Sequence, residues 1–155
     1  MEPLWRISNH IDLEGNGGRF FSSRWSSIGR RVVYLSESPP GAMLEILVHL
    51  QYRQGKLPQR YDLLKVQVNE AIAVQPLDPD GEPAWKELPE FTRRLGDNWL
   101  VSLATPLARV PSAIIPRTWN YLLNPEHPDA KQAKIAEVIR ERFDNRLFRF
   151  GSRSL

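Results

Sequence analysis

Four polar side chains interrupt otherwise apolar stretches of this chain. They are Arg24 beside Trp25, Tyr34 at the end of a strand-like run, Glu45 inside an apolar helical segment, and Ser112 in Val110-Pro111-Ser112. Arginine grips anions through paired N–H donors. Tyrosine packs and donates, a carboxylate steadies a developing cation, and serine adds a small hydroxyl. Together these residue types suit a phosphorylated sugar on which positive charge builds up.

Glu45 is the most unusual of the four. At roughly 100° per residue, Met43, Ile46, Leu47 and Leu50 share one face of a helix, and Glu45 lies on the other side with Gly41, Ala42, Val48 and His49. Angular position alone makes Glu45 a surface residue. Between Ser38 and Tyr52, however, its only acidic or basic companion is His49. A helix so poor in solvating charge predicts cover on both of its faces. A buried, unpaired charge costs on the order of several kcal/mol, so the carboxylate needs either a partner or a task. Both readings stand at this point: a structural pair with Arg6, Arg24 or another arginine, or a reactive group.

The elements that must position these residues follow from local pattern. Leu4 to Ile7 reads as a short opening strand, and Asp12 to Gly18 as a glycine-rich loop leading into the serine turn around Arg24. Arg31 to Leu35, with Val32-Val33-Tyr34, reads as a buried strand. Ser38 caps a helix from about Pro40 to Gln51, its prolines placed where the first turn tolerates them. Tyr61 to Val68 is a further strand. Residues 76 to 98, punctuated by Pro76, Pro79, Gly81, Pro83, Pro89 and Gly96, read as a long connection with short helical pieces. Leu107 to Ile115 reads as a strand pair or a strand bent at Pro111. Pro128 to Phe143 gives the clearest helical pattern, with Ala133, Ile135, Ala136, Val138, Ile139 and Phe143 on or near one side. Asn145 to Phe150 reads as a closing strand. Without regular βαβ alternation the expected class is α+β, a compact single domain with a mixed, largely antiparallel β core flanked by helices.

Composition narrows the function. A length of 155 residues fits one domain, and 41% hydrophobic content supports a packed core. The apolar runs fall short of the roughly 20 residues a membrane helix needs, and Met1-Glu2-Pro3-Leu4-Trp5-Arg6 lacks signal-peptide character. The expectation is a soluble cytoplasmic protein without membrane contact. With no cysteine, disulfides, thiolate metal sites and cysteine nucleophiles are excluded. Net charge is +3, from 16 Arg and 5 Lys against 18 acidic residues, but Arg30-Arg31 and Arg93-Arg94 are short blocks and form no basic stripe. Gly15-Asn16-Gly17-Gly18 lacks the third glycine of a dinucleotide loop, because Phe20 takes its place. His10, His49 and His127 have no metal-ligand spacing, so no metal is expected, and His49 reads as a core or rim residue. Asp78 and Asp80 read as turn formers.

Taken together, Leu4-Trp5-Arg6-Ile7, Arg24-Trp25, Val32-Val33-Tyr34, Leu44-Glu45-Ile46-Leu47-Val48-His49-Leu50, Val110-Pro111-Ser112, Asn120 through Pro128 and Phe143 through Leu147 resemble, in order, the RES-domain toxins of bacterial toxin-antitoxin pairs, named for an Arg, a Glu and a Ser. The resemblance covers nearly the whole chain. It departs where the family usually reads Gly-Gly-Arg-Trp-Asn; here Ser22-Ser23-Arg24-Trp25-Ser26 removes two glycines and an amide.

The resemblance implies a fold similar to ADP-ribosyltransferase toxins and cleavage of NAD, as substrate and not as cofactor, at the nicotinamide–ribose bond by hydrolysis or phosphorolysis. It gives Glu45 the developing charge on the ribose, Arg24 and Arg6 the pyrophosphate, and Tyr34, beside Trp25, the nicotinamide end. Ser112 then bonds the ligand or fixes Glu45, and Asn120 adds a polar contact. It also implies a hetero-oligomer with a cognate Xre-like antitoxin that blocks the site and carries the DNA contact. Two other readings remain: a protein ADP-ribosyltransferase toxin, and a non-enzymatic Arg-rich binding module.

Overall fold

The computed structural model describes residues 1–52 and 57–148, with the side chains of residues 51 and 52 excepted. Seven strands form one sheet: β1 (Leu4–Ile7), β2 (Val33–Ser36), β3 (Arg60–Val68), β4 (Val74–Pro76), β5 (Leu107–Pro111), β6 (Trp119–Leu123) and β7 (Ala133–Arg142). Their order across the sheet is β4-β5-β6-β2-β1-β3-β7. Every neighbouring pair is antiparallel except β4 and β5. With two helices, α1 (Pro39–Tyr52) and α2 (Pro89–Ser102), this is the α+β class with a mixed, largely antiparallel sheet.

The sheet buries both of its faces. Leu4, Val33, Leu35, Val66, Leu107 and Leu123 build one core. On the opposite face Trp99 and Leu100 of α2 pack with Ala108, Val110 and Leu122. Val110 is the cross-strand partner of Asn120, so α1, whose Glu45 bonds Asn120, reaches the same face as α2. The two helices therefore flank one region of one sheet face.

Local chemistry explains the first helix. The Ser38 hydroxyl accepts from the Gly41 N–H at 3.2 Å and so caps the first turn of α1. The helix lies on β1 and β2. Its other face is open, with Leu44 37% and Val48 38% exposed, so the expected cover on both sides is present on one only. Few charges follow here from a narrow apolar contact plus a bare outer stripe.

Three other expectations are corrected. The connection over 76 to 98 gives way at Pro89 to α2, a 14-residue helix. Proline is acceptable in a first turn, and Gly96 stands inside the helix because a Cβ there would lie 1.7 Å from the Trp25 carbonyl oxygen. The expected helix over 128 to 143 is a short 3-10 turn (Pro128–Gln132) followed by β7. In the β3–β7 ladder Ala133, Ile135 and Val138 stand opposite Val68, Val66 and Leu64, and the register skips Ala136. The bulge spaces these apolar residues by two and then three, which imitates a helical stripe. The expected strand from Asn145 is a 3-10 turn, Asn145–Phe148, with the Asp144 carboxylate accepting from the Arg146 N–H at 3.0 Å. Phe150 lies outside the described residues.

The segment after β5 resolves as a hairpin: the chain turns at Ser112, whose N–H donates to the Thr118 carbonyl at 2.8 Å, and returns as β6. The glycine-rich loop is a packing device. A Cβ on Gly18 would lie 2.0 Å from the Arg30 carbonyl oxygen, so that crossing requires glycine.

Candidate active site

Alternation along β2 puts Tyr34 and Ser36 on one face, next to Asn120 of β6, and α1 lowers Glu45 onto them. The Glu45 Oε1 accepts from Asn120 Nδ2 at 2.8 Å, and the Ser112 hydroxyl donates to the same oxygen at 3.5 Å. Ser112 is fixed in turn by accepting the N–H groups of Ile114 and Ile115 at 3.1 and 3.2 Å. The Ser36 hydroxyl donates to Asn120 Oδ1 at 3.1 Å and so sets the orientation of the amide. The carboxylate is thus anchored by neutral donors. Among the described residues the ion pairs are Arg140 with Asp62 and Arg146 with Asp144, so Glu45 is not the buried half of a structural pair.

Two hollows meet at this carboxylate. The larger, about 340 Å³, is lined by Arg24, Trp25, Arg93, Val110 and Ile114 among others. The smaller, about 170 Å³, is lined by Trp5, Arg6, Ile7, Ser36 and Ile46 among others. Tyr34, Glu45, His49 and Asn120 line both. Arg24 and Arg6 therefore serve different hollows. Ser112, 6% exposed, stands behind Glu45.

Among the described residues neither Arg24 nor Arg6 is ion-paired. Arg24 Nη1 donates to the Lys86 carbonyl at 3.0 Å, and its guanidinium lies 5.8 Å from the centre of the Trp85 ring. Trp25 is a core side chain, 3% exposed, which anchors the loop that carries Arg24. Arg6 has a buried guanidinium nitrogen, Nη1, without a hydrogen-bond partner. Burial pulls its pKa down and the charge of Asp12 works against that pull, so Arg6 is a cation only partly compensated by the protein.

Tyr34 sits among hydroxyls. Its OH bonds the Ser23 hydroxyl and lies 3.3 Å from that of Ser26, and the two serines are 2.6 Å apart. Burial pushes its pKa up; bonds from Ser23, Ser26 and the Trp25 backbone oppose this, and the nearby Asp97 charge adds to it. Ser23 and Ser26 thus occupy the places where the family pattern has Gly and Asn, and they use them to hold Tyr34. Among the described residues only Leu103 and Arg117 have positive φ outside glycine, so the exchange at 22 and 23 leaves no left-handed strain.

Sequence reasoning missed Ser36, Arg93, Ser23 and Ser26. Ser36 was legible, being two residues after Tyr34 in a strand. Arg93 was not, because its helix was not recognised. Among the described residues no group of three His, Cys, Asp or Glu could hold a metal ion, and no helix is long and apolar enough to cross a membrane.

Comparison with known proteins gives the chain a family. The RES domain family matches residues 3–145. A protein of Pseudomonas putida named Toxin Res is 47% identical, over 94% of this chain and 99% of its own. A Sphingobium protein named Prs ADP-ribosylating toxin is 34% identical, over 94% and 96%. In fold, a chain of the M. tuberculosis MbcT-MbcA toxin-antitoxin complex superposes with a TM-score of 0.72 at 19% identity, covering 96% of this chain and 87% of that one. The chain belongs to the RES domain family and is a toxin of that family.

Proposed function

We propose that this toxin cleaves NAD at the bond between nicotinamide and ribose and passes the ribosyl group to water or inorganic phosphate. The observation that carries the reading is a carboxylate, Glu45, held by neutral donors in the wall shared by two hollows, with arginines in both. As the C1′–N bond breaks, its electron pair leaves with nicotinamide and the sugar becomes oxocarbenium-like. Glu45 stabilises that charge because no arginine has neutralised it. Asn120 and Ser112 fix the carboxylate, and Tyr34, its hydroxyl bonded by Ser23 and Ser26 and kept neutral by burial, lines the same two hollows. Arg24 and Arg93 in the larger hollow, and Arg6 in the smaller, suit the pyrophosphate. Water adds hydroxyl at C1′ and releases a proton; phosphate adds through an oxygen.

A second reading, transfer of ADP-ribose to a protein side chain, has the name of the Sphingobium relative in its favour. It uses the same site and differs in acceptor. The complex seen for the M. tuberculosis neighbour supports an antitoxin partner here too; the proposed partner is an Xre-like protein that blocks the site and supplies any DNA contact. NAD in the cytoplasm is the substrate pool that this reading requires.

The test is nicotinamide release from NAD by purified protein, with and without phosphate, for the wild type and Glu45→Gln. Expected is release by the wild type and a loss of 100-fold or more, on the order of an electrostatic catalyst's contribution, in a folded variant. A folded Glu45→Gln protein that still consumes NAD at the wild-type rate overturns the assignment.

A further inference from the structure

Residues 23 to 27 carry Arg24 and the two serines that bond Tyr34, yet they contain no regular element of their own. What fixes them is one side of α2. Arg93 Nε donates to the Ser23 carbonyl at 2.6 Å, and the Thr92 hydroxyl donates to the Arg24 carbonyl at 2.5 Å. Gly96 lets the Trp25 carbonyl approach so closely that any side chain would collide with it. The Asp97 carboxylate accepts from the Ser27 N–H at 2.9 Å and from the Ser27 hydroxyl at 2.5 Å. Residues 92, 93, 96 and 97 share one helical face, so successive backbone groups of the loop meet successive contacts of a rigid helix.

We propose that α2 is the positioning element of the site, with Asp97 a positioning residue that fixes the loop and thereby sets the Arg24 guanidinium and the Ser23–Ser26–Tyr34 hydroxyls for the substrate. The inference rests on the NAD reading for its kinetic consequence. Asp97 lines neither hollow, so its loss weakens binding by letting Arg24 wander while Glu45 keeps its own anchors.

The experiment pairs kinetics with hydrogen exchange on the full chain. Asp97→Ala is expected to raise KM for NAD about tenfold with kcat within about twofold, and to speed exchange of the Ser27 amide. Asp97→Asn, which keeps an acceptor for that amide, is expected to recover most of both. An Asp97→Ala protein with wild-type KM, or one in which kcat falls and KM does not move, overturns the proposal. If the wild type releases no nicotinamide, the NAD reading fails and the exchange arm decides alone: unchanged Ser27 protection in Asp97→Ala then overturns the clamp, and faster exchange rescued in Asp97→Asn upholds it.

Discussion

A carboxylate held by an amide and a hydroxyl keeps its negative charge for whatever enters the site, whereas an arginine partner would have spent it. At Glu45 the difference is testable through its strongest anchor. Asn120→Asp places a second carboxylate where the amide donated at 2.8 Å, and two like charges so close cannot both ionise cheaply. NAD cleavage near pH 7 is expected to fall on the order of 10- to 100-fold, measured as nicotinamide release. Arg6 shows the opposite economy, a buried cation that the protein leaves without a hydrogen bond at Nη1. Arg6→Met is expected to raise the melting temperature by on the order of a few degrees while NAD binding weakens. Tyr34 couples the site to pH. With its pKa raised above 10.0, the protonated hydroxyl favours the fold below that pH, and the contribution disappears as pH climbs through the folded value. Urea midpoints between pH 8 and 11 are expected to fall more steeply above 10 for the wild type than for Tyr34→Phe.

At the scale of elements, the clearest constraint is the crossing of α2 over the arginine loop. Gly96→Ala puts a methyl 1.7 Å from a backbone oxygen that cannot swing aside, so helix or loop must shift. Denaturant unfolding is expected to show a loss of about 1–3 kcal/mol, the usual scale of overpacking. Such elements were unevenly legible. Leu4–Ile7, the Val32-Val33-Tyr34 run, α1 and β3 follow from local alternation and capping, and two of the site residues, Tyr34 and Glu45, sit on elements read in that way, while Ser112 follows β5 and Arg24 lies in a loop without a regular element. The helical look of Ala133 to Phe143 came from one extra residue, Ala136, in a ladder whose partners are 65 to 82 residues away in sequence, a pairing no local window contains. The same blindness hid α2, because Pro89 reads as a breaker until it is placed in a first turn, and Gly96 until the Trp25 carbonyl it accommodates is known. Asn120 was legible as a motif residue, but its bond to Glu45 depends on strand order.

Across the whole molecule the sheet has a weak seam. β1 and β2 share a single register pair, Trp5 with Ser36, while every residue of β3 is paired with one of β7. Glu45 and His49 of α1 line the smaller hollow together with residues of β1 and β2, so that hollow opens where the sheet is least tied together. Amides directed across the seam are expected to exchange with solvent well before those of β3 and β7, and a bound nucleotide is expected to slow them selectively. The outer borders of the sheet carry a different consequence. On one side β4 is three residues long and ends in Pro76, which has no N–H to offer. On the other, β7 is kinked at Ala136 and dressed with exposed Lys134, Glu137, Arg140, Glu141 and Arg142. Each border is too short, too bent or too charged to be a ready template for another copy's backbone, a kind of edge that disfavours growth into fibres.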